Sequence, residues 1–275
     1  MTFVKASDGA LASNFSLTNT PGPLTEPTGY LIVNSGPIST LSPSNTTGSV
    51  TCPATSTGAA RYPQDGGVSF QSHSLYASVN SSYATGTSWS VGITNRTGAA
   101  TTFTVWAVCA VPNTGYVELS STGVPNARGT QTEASEACPT GTKIIGGGVQ
   151  NSLPYATIYG SYPSGNAWVV HVDNPGTTAN TMYVSAVCTT YSGTTAYSVN
   201  EGSAVRAAPS SDTGAAISCP SGQAAVGGGI SVGSLNTNVN LNSSAPTATG
   251  LGWANFENNA TSTAVGLTPW VICAA

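Results

Sequence analysis

The feature that most constrains this chain is an internal repeat marked by its cysteines. Three Cys-Pro pairs each have a later cysteine. A Trp lies 20 residues before that later cysteine, an Asn lies six residues after the Trp, and a Tyr lies 22 residues before the Cys-Pro. The Cys-Pro cysteines are Cys52, Cys138 and Cys219, and the later cysteines are Cys109, Cys188 and Cys273. The other recurring residues are the tryptophans Trp89, Trp168 and Trp253, the asparagines Asn95, Asn174 and Asn259, and the tyrosines Tyr30, Tyr116 and Tyr197. Fixed offsets in three copies indicate one structural unit repeated three times.

The repeat divides the chain into an arm and three units of about 80 residues. We predict an extended N-terminal arm over residues 1–27, which includes the proline-containing stretch TNTPGPLTEPTG. Repeat one then covers residues 28–110, repeat two covers 111–189 and repeat three covers 190–275. The prolines are expected to hold the arm extended. Its expected role is to anchor the protein on other virion or cell-surface proteins.

The composition predicts an all-β protein. Thr, Ser, Gly, Asn and Ala dominate, whereas the charged residues Asp, Glu, Lys and Arg make up only 6% of the chain. A typical soluble protein has about a quarter. Leu, Glu, Lys and Gln, which usually cover helix surfaces, are scarce. Such a chain is expected to pair strands with polar uncharged faces, joined by Gly, Asn and Pro turns.

The same composition excludes two classes of partner. Six Lys and Arg residues cannot form the basic patch that nucleic acids require. The sequence also has no apolar stretch of about 18 residues, so we expect no membrane insertion. The N-terminus has no long apolar core of the kind that a secretory signal requires.

Alternating side chains place strands around each repeated Trp. In WVVHVDN, Trp168 and Val170 lie on one face, and His171 and Asp173 lie on the other. A polar turn and a second β-rich run follow, so we predict a hairpin that closes each repeat. The run KIIGGGV reads as a strand whose glycines give positive φ or admit a neighbouring strand closely. Repeat one has RYPQDGGV instead of this compact run, which we interpret as a variable surface loop.

The six cysteines are predicted to form disulfides. Of the fifteen pairings, two respect the repeat: each Cys-Pro with the later cysteine of its own unit, or each later cysteine with the next Cys-Pro. We prefer the first, because it closes each unit on itself. A loop of about 50 residues closed in this way contributes roughly 4 kcal/mol to stability. Disulfides imply an oxidising environment outside the cytosol. A zinc site is disfavoured because the chain has no CxxC and its two histidines are not equivalent; no metal or other cofactor is expected.

Three such units have two possible arrangements. They form either a compact β-prism-like body with approximate threefold symmetry or a tandem row of small β-sandwiches. The short connections between units favour the compact arrangement. Self-association of the chain into a homo-oligomer is a further candidate.

Catalytic motifs are weak, and we predict that the protein is not an enzyme. The stretch GISVG matches the nucleophile elbow of hydrolases, but no His follows Ser231. His171 and Asp173 share a strand face and suit a triad only if a Ser lies nearby. Glu133 and Glu136 lie in TQTEASEA, which reads as a linker. A secreted hydrolase is therefore the weakest of the alternatives.

Tyrosines are the best candidates for ligand binding. Exposed tyrosines stack on sugar rings while amides and carboxylates bind hydroxyls, so surface glycans are candidate ligands. Six tyrosines fall in the variable middle of repeats one and two: Tyr62, Tyr76, Tyr83, Tyr155, Tyr159 and Tyr162. Ordinary packing beneath loops is the competing interpretation. The Trp and Tyr residues that recur at fixed offsets are expected in the core of each repeat.

The pattern CPxGxxxxGGG…W…N…VC resembles uncharacterised β-repeat proteins, exported or phage-encoded, of high-GC Gram-positive bacteria. Residues 138–188 and 219–273 carry the pattern, from Cys-Pro through the Gly run, Trp and Asn to the final cysteine. The resemblance implies an extracellular location and assigns no catalytic residue. The expected function is a structural or adhesive virion component of a bacteriophage, such as a capsid decoration, fibre or tail protein. The alternative is a secreted bacterial carbohydrate-binding module.

Overall fold

The computed structural model describes residues 26–191, 196–233 and 236–275. This part of the chain contains strands and turns but no helix, so the predicted all-β class is confirmed. None of the described segments is a helix that could cross a membrane. Apart from its last two residues, the predicted N-terminal arm lies outside the described residues.

Each repeat contributes seven strands in the same order. The strands of repeat one are β1 (Leu31–Asn34), β2 (Ile38–Thr40), β3 (Ser44–Thr51), β4 (Tyr62–Phe70), β5 (Ala77–Thr85), β6 (Ser88–Asn95) and β7 (Thr101–Ala110). Those of repeat two are β8 (Val117–Ser120), β9 (Val124–Asn126), β10 (Thr130–Ala137), β11 (Lys143–Asn151), β12 (Thr157–Ser164), β13 (Ala167–Asn174) and β14 (Asn180–Thr189). Those of repeat three are β15 (Tyr197–Glu201), β16 (Val205–Ala207), β17 (Ser211–Ser218), β18 (Ala224–Val232), β19 (Val239–Pro246), β20 (Gly252–Asn259) and β21 (Val265–Ala274).

The strands form three seven-stranded antiparallel sheets, and every sheet combines two repeats. Sheet I joins β1, β2, β4 and β7 to β17, β19 and β20. Sheet II joins β3, β5 and β6 to β8, β9, β11 and β14. Sheet III joins β10, β12 and β13 to β15, β16, β18 and β21. Each repeat thus shares one sheet with each of the other two, which closes the chain into a β-prism-like body with approximate threefold symmetry rather than a tandem row.

Glycines permit the junctions at which two repeats share a sheet. The junction strands pair through a single residue pair, Val149 with Ser82 in sheet II. A Cβ on Gly148, beside Val149, would lie well inside the van der Waals radius of the Ser82 carbonyl oxygen. Gly67 and Gly229 meet the equivalent carbonyl oxygens at the other two junctions. Of the two predicted roles for the glycine run, close approach of another strand is the one observed at these positions.

Two predictions about local structure are wrong. The stretch RYPQDGGV is not a surface loop: it forms the buried strand β4, in which residues 65–67 occupy the register of the glycine run 146–148. The expected closing hairpin of β6 and β7 does not form, because β6 pairs with β3 and β5 in sheet II whereas β7 lies in sheet I. The Trp-bearing strand β6 instead packs across the two sheets against β4 and β7 of its own repeat.

That packing buries the recurring Trp residues in a hydrophobic core to which all three repeats contribute. Trp89, Trp168 and Trp253 are at most 1% exposed, and each indole lies over a glycine of its own repeat (Gly66, Gly147 or Gly228). The disulfides are Cys52–Cys109, Cys138–Cys188 and Cys219–Cys273, which is the preferred pairing within each repeat. Each bond ties the strand ahead of the Cys-Pro in one sheet to the last strand of the repeat in another.

The recurring tyrosines join one repeat to the next. Each lies partly buried against the core and donates its hydroxyl proton to a backbone carbonyl of a different repeat. The bonds are Tyr30 to Ala225 (2.8 Å), Tyr116 to Pro63 (2.8 Å) and Tyr197 to Ile144 (2.6 Å). The three acceptors occupy equivalent positions, so the bonds form a closed cycle around the symmetry axis.

Candidate functional site

The six candidate tyrosines do not form one surface. Tyr76 and Tyr155 come together at one end of the molecule, and Tyr83 lies on the outer face of sheet II. Tyr159 and Tyr162 lie beside His171 on sheet III. Tyr62 packs against Tyr116, with ring centroids 5.3 Å apart. Tyr76 and Tyr155 belong to different repeats and are brought together by the closed arrangement of the three repeats.

A depression of about 540 Å³ lies at one end of the approximate threefold axis. Its wall contains Tyr76, Tyr155 and Asn238, which occupy equivalent positions at the start of β5, β12 and β19. Deeper in the depression, β5, β12 and β19 contribute a second equivalent set of small polar residues, Ser78, Thr157 and Asn240. Because all three repeats contribute, this site exists only in the closed molecule. We call it the axial depression.

The axial depression has one exposed aromatic ring and one cation. Tyr76 is 69% exposed, whereas the Tyr155 hydroxyl is held by the Thr178 hydroxyl at 2.9 Å. Arg96 lies on the wall, and in the described part of the chain its side chain makes no ion pair. An exposed ring, hydroxyls and a free guanidinium suit a saccharide or polyol that carries an anionic group.

A second group of aromatic and titratable side chains lies on the outer face of sheet III. His171 packs against Tyr159 and Tyr162, and Tyr162 stacks on Trp270 with ring centroids 5.8 Å apart. Burial lowers the pKa of His171, although Glu133 opposes this shift. Burial also raises the pKa of Tyr159 and of Tyr162. This cluster is therefore a closely packed surface.

For Tyr159 the competing interpretation, ordinary packing, is the one observed. It is only 2% exposed, because it is the extra residue of a β-bulge in β12 and His171 covers it. Such a ring has no free face on which a sugar could stack.

The residues of the weak catalytic motifs are separated. His171 Nε2 lies 3.1 Å from Glu133 Oε2, whereas Asp173 is fully buried, and within the described segments no hydrogen bond joins it to His171. Glu133 and Glu136 lie on strand β10 rather than in a linker. Ser231 lies within β18 and accepts a hydrogen bond from the Trp270 indole at 3.0 Å. This Ser has neither the turn nor the helix that a nucleophile elbow requires.

One pair that the sequence did not indicate joins repeats one and three. His73 Nδ1 lies 2.7 Å from Asp212 Oδ2, and the His73 ring contacts Phe256 edge-on at 6.1 Å. The two partners are 139 residues apart, so only the closed fold brings them together. His73 lies in the loop between β4 and β5 and is about half exposed, so the pair fastens this loop of repeat one to strand β17 of repeat three.

Nothing in the described ranges suggests a metal centre, since no group of three or more His, Cys, Asp or Glu side chains converges there. No protein-family model matches this chain, and no curated protein matches it either. The three disulfides indicate an oxidising, extracellular environment.

Proposed function

We propose that this chain is a non-enzymatic structural and adhesive protein of an extracellular surface, and that its axial depression binds surface glycans. The observation that carries the proposal is the depression itself, to which equivalent positions of all three repeats contribute an exposed ring, small polar groups and one arginine. Folds that display a ligand site on a rigid scaffold commonly use the end at which several loops converge.

The construction of the molecule supports a display role. Three disulfides and three shared sheets hold the walls of the depression, so its tyrosines need little ordering when a ligand binds. Charged residues make up 6% of the chain, which leaves hydroxyl and amide groups over most of the exterior. The surface that we propose is that of a bacteriophage particle, where the protein would serve as a decoration, fibre or tail component.

Glycan binding is tested on an array of neutral and anionic bacterial surface polysaccharides. We expect wild-type protein to retain anionic saccharides, and we expect Tyr76→Ala and Arg96→Ala each to lower the affinity at least tenfold. Both side chains are exposed, so neither change should unfold the protein. The control is Tyr183→Ala, which removes another exposed tyrosine, 40% exposed and outside the depression. Equal binding by all four proteins would refute the assignment of this site.

The location is tested separately by antibody-gold electron microscopy of the source culture. Regular labelling of phage capsids or tails would support the virion component. Labelling of cell walls or free polysaccharide beside bare particles would instead favour a secreted carbohydrate-binding module, which uses the same depression.

A further inference from the structure

The three sheets have equivalent outer faces, and they differ at one central position. In the Trp-bearing strands this position is Gly92 on sheet II, His171 on sheet III and Phe256 on sheet I. His171 packs against Tyr159 and Tyr162, and Phe256 is 6% exposed beside His73. Two of the three faces are therefore filled by a ring, while sheet II has no side chain there.

The result is an open cleft of about 420 Å³ on sheet II. Asn80, the bulge residue of β5, lies beneath Gly92, and its amide donates to the Thr94 hydroxyl at 3.1 Å. A Cβ on Gly92 would overlap the Asn80 side-chain oxygen. A side chain at position 92 would therefore displace the Asn80 amide, and the pair forms a polar floor.

The lining of this cleft is polar and uncharged. Its wall includes the Tyr83 ring, and none of the described residues that line it is charged. The Ser81 hydroxyl and the Asn151 amide are engaged in internal hydrogen bonds that fix the wall. Four polar side chains of the lining have no hydrogen-bond partner in the described part of the protein: Thr47, Ser49, Ser90 and Gln150. A row of three hydroxyls and one amide is therefore open to a ligand.

We propose that this sheet II cleft is a second binding site, specific for a neutral saccharide. Hydroxyl and amide groups exchange hydrogen bonds with sugar hydroxyls, and Tyr83 supplies a ring against which a pyranose can pack. The absence of a cation in the lining distinguishes this site from the axial depression, where Arg96 favours an anionic ligand. The two sites together would make the protein multivalent towards a mixed surface polysaccharide.

The repeats themselves supply the test variants. Tyr83→Ala introduces the residue that sheet I has at the equivalent position, Ala245. Thr47→Glu introduces the residue that sheet III has there, Glu133, and places a charge at an exposed site in the cleft. The matched control is Tyr162→Ala, the equivalent tyrosine of sheet III, and Tyr76→Ala removes the ring of the axial depression.

Binding is measured by two-dimensional NMR of labelled protein with soluble glucose, galactose and N-acetylglucosamine oligosaccharides at millimolar concentration. We expect at least one of them to shift the amide signals of Ser90, Gly92 and Gln150. Tyr83→Ala and Thr47→Glu should weaken this binding at least tenfold, while Tyr162→Ala and Tyr76→Ala leave it unchanged. Shifts confined to the axial depression, no shifts with any sugar, or unaltered affinity in Tyr83→Ala would overturn the proposal. Spectra of the free variants show whether each is folded.

Discussion

The Asp65 carboxylate accepts a hydrogen bond of 2.9 Å from the backbone N–H of Gly228, 163 residues further along the chain. It accepts another from the N–H of Gly66 at 2.8 Å, and the N–H of Gly147 also favours its charged form. These glycines are the equivalent middle residues of the three runs. Burial raises the pKa of Asp65 well above its usual range, and the three N–H groups oppose that shift. One side chain thus joins all three repeats on the axis.

Replacing Asp65 tests whether this junction stabilises the closed fold. The equivalent residues are Gly146 and Gly227, so Asp65→Gly makes the repeats alike but removes the side-chain acceptor of two buried N–H groups, those of Gly66 and Gly228. Each such group costs about 1–3 kcal/mol, and we therefore expect a loss of about 2 kcal/mol or more in the free energy of unfolding. Urea denaturation followed by Trp fluorescence measures it. Unchanged stability would mean that water replaces the carboxylate without cost.

The sequence predicts the repeat, the strands and the disulfides because these depend on local alternation and on fixed spacing. It does not predict that β6 and β7 lie in different sheets, since two consecutive β-rich runs joined by a polar turn have the same local pattern in a hairpin and in a sandwich corner. The role of Asp65 was also not predicted from the sequence. The Gly-Gly pair that precedes both Val68 and Val149 would have aligned Asp65 with the glycine run of repeat two. Contacts between repeats require the closed arrangement itself.

The candidate sites show the same limit. Composition singled out the tyrosines, and the structure places Tyr76 and Tyr155 in one depression only because three chain segments converge at the axis. The cleft on sheet II depends on the absence of a side chain at Gly92, and a single glycine in a chain with 32 of them carries no such signal. Arg96 was also not identified from the sequence as a candidate ligand-binding residue, because the depression beside it is formed partly by residues of the other two repeats.

The close approach of β5 and β11 in sheet II should make Gly148 sensitive to any substitution that adds a side chain. We expect Gly148→Ala to destabilise the protein by several kcal/mol or to prevent folding, because the added Cβ would overlap the Ser82 carbonyl oxygen. The control is Gly266→Ala, a strand glycine whose Cβ would meet nothing within 4 Å. That change should leave the melting temperature within a few degrees of wild type, as circular dichroism can measure. Equal effects of the two substitutions would contradict the argument from close approach.

The cycle of tyrosine hydroxyls should stabilise the junctions between repeats. Tyr30→Phe, Tyr116→Phe and Tyr197→Phe each remove one hydrogen bond between repeats and leave the ring in place. We expect a loss of about 1 kcal/mol per substitution in the free energy of unfolding. The control is Tyr76→Phe, an exposed hydroxyl, which should change nothing. If each of the three substitutions changes the free energy of unfolding no more than Tyr76→Phe does, the cycle does not stabilise the closed fold.

Asp173 should make stability fall as pH rises. Burial raises its pKa to about 8, although the Gln131 side chain opposes the shift, whereas an unfolded Asp titrates near 3.9. Between these values the folded state holds a proton that the unfolded state lacks, so stability decreases by up to about 1.4 kcal/mol per pH unit and then levels off above pH 8. Asp173→Asn, which copies Asn258 of repeat three, should make the fall of stability with pH shallower by the share that Asp173 contributes. Urea denaturation at pH 5, 6.5 and 8 tests it, and an unchanged slope in the variant would assign the effect to another group.

Glu257 occupies a position at which the other two repeats have aliphatic residues, Ile93 and Val172. It is fully buried, and neither of its carboxyl oxygens has a hydrogen-bond partner among the residues that the structure describes. Burial, reinforced by the charges of Asp212 and Asp173, raises its pKa well above the usual range. Because the folded state retains the Glu257 proton, the contribution of Glu257 to stability is lost as pH rises above the unfolded pKa of about 4.3.

We therefore expect Glu257→Ile to raise the free energy of unfolding by about 1–3 kcal/mol at pH 7, and by more at pH 9 than at pH 5. The reciprocal variant, Ile93→Glu, should lose at least as much at pH 7. Urea denaturation of both proteins at the three pH values decides the matter, and destabilisation by Glu257→Ile at every pH would show that the carboxyl contributes an interaction that the apolar residue cannot replace.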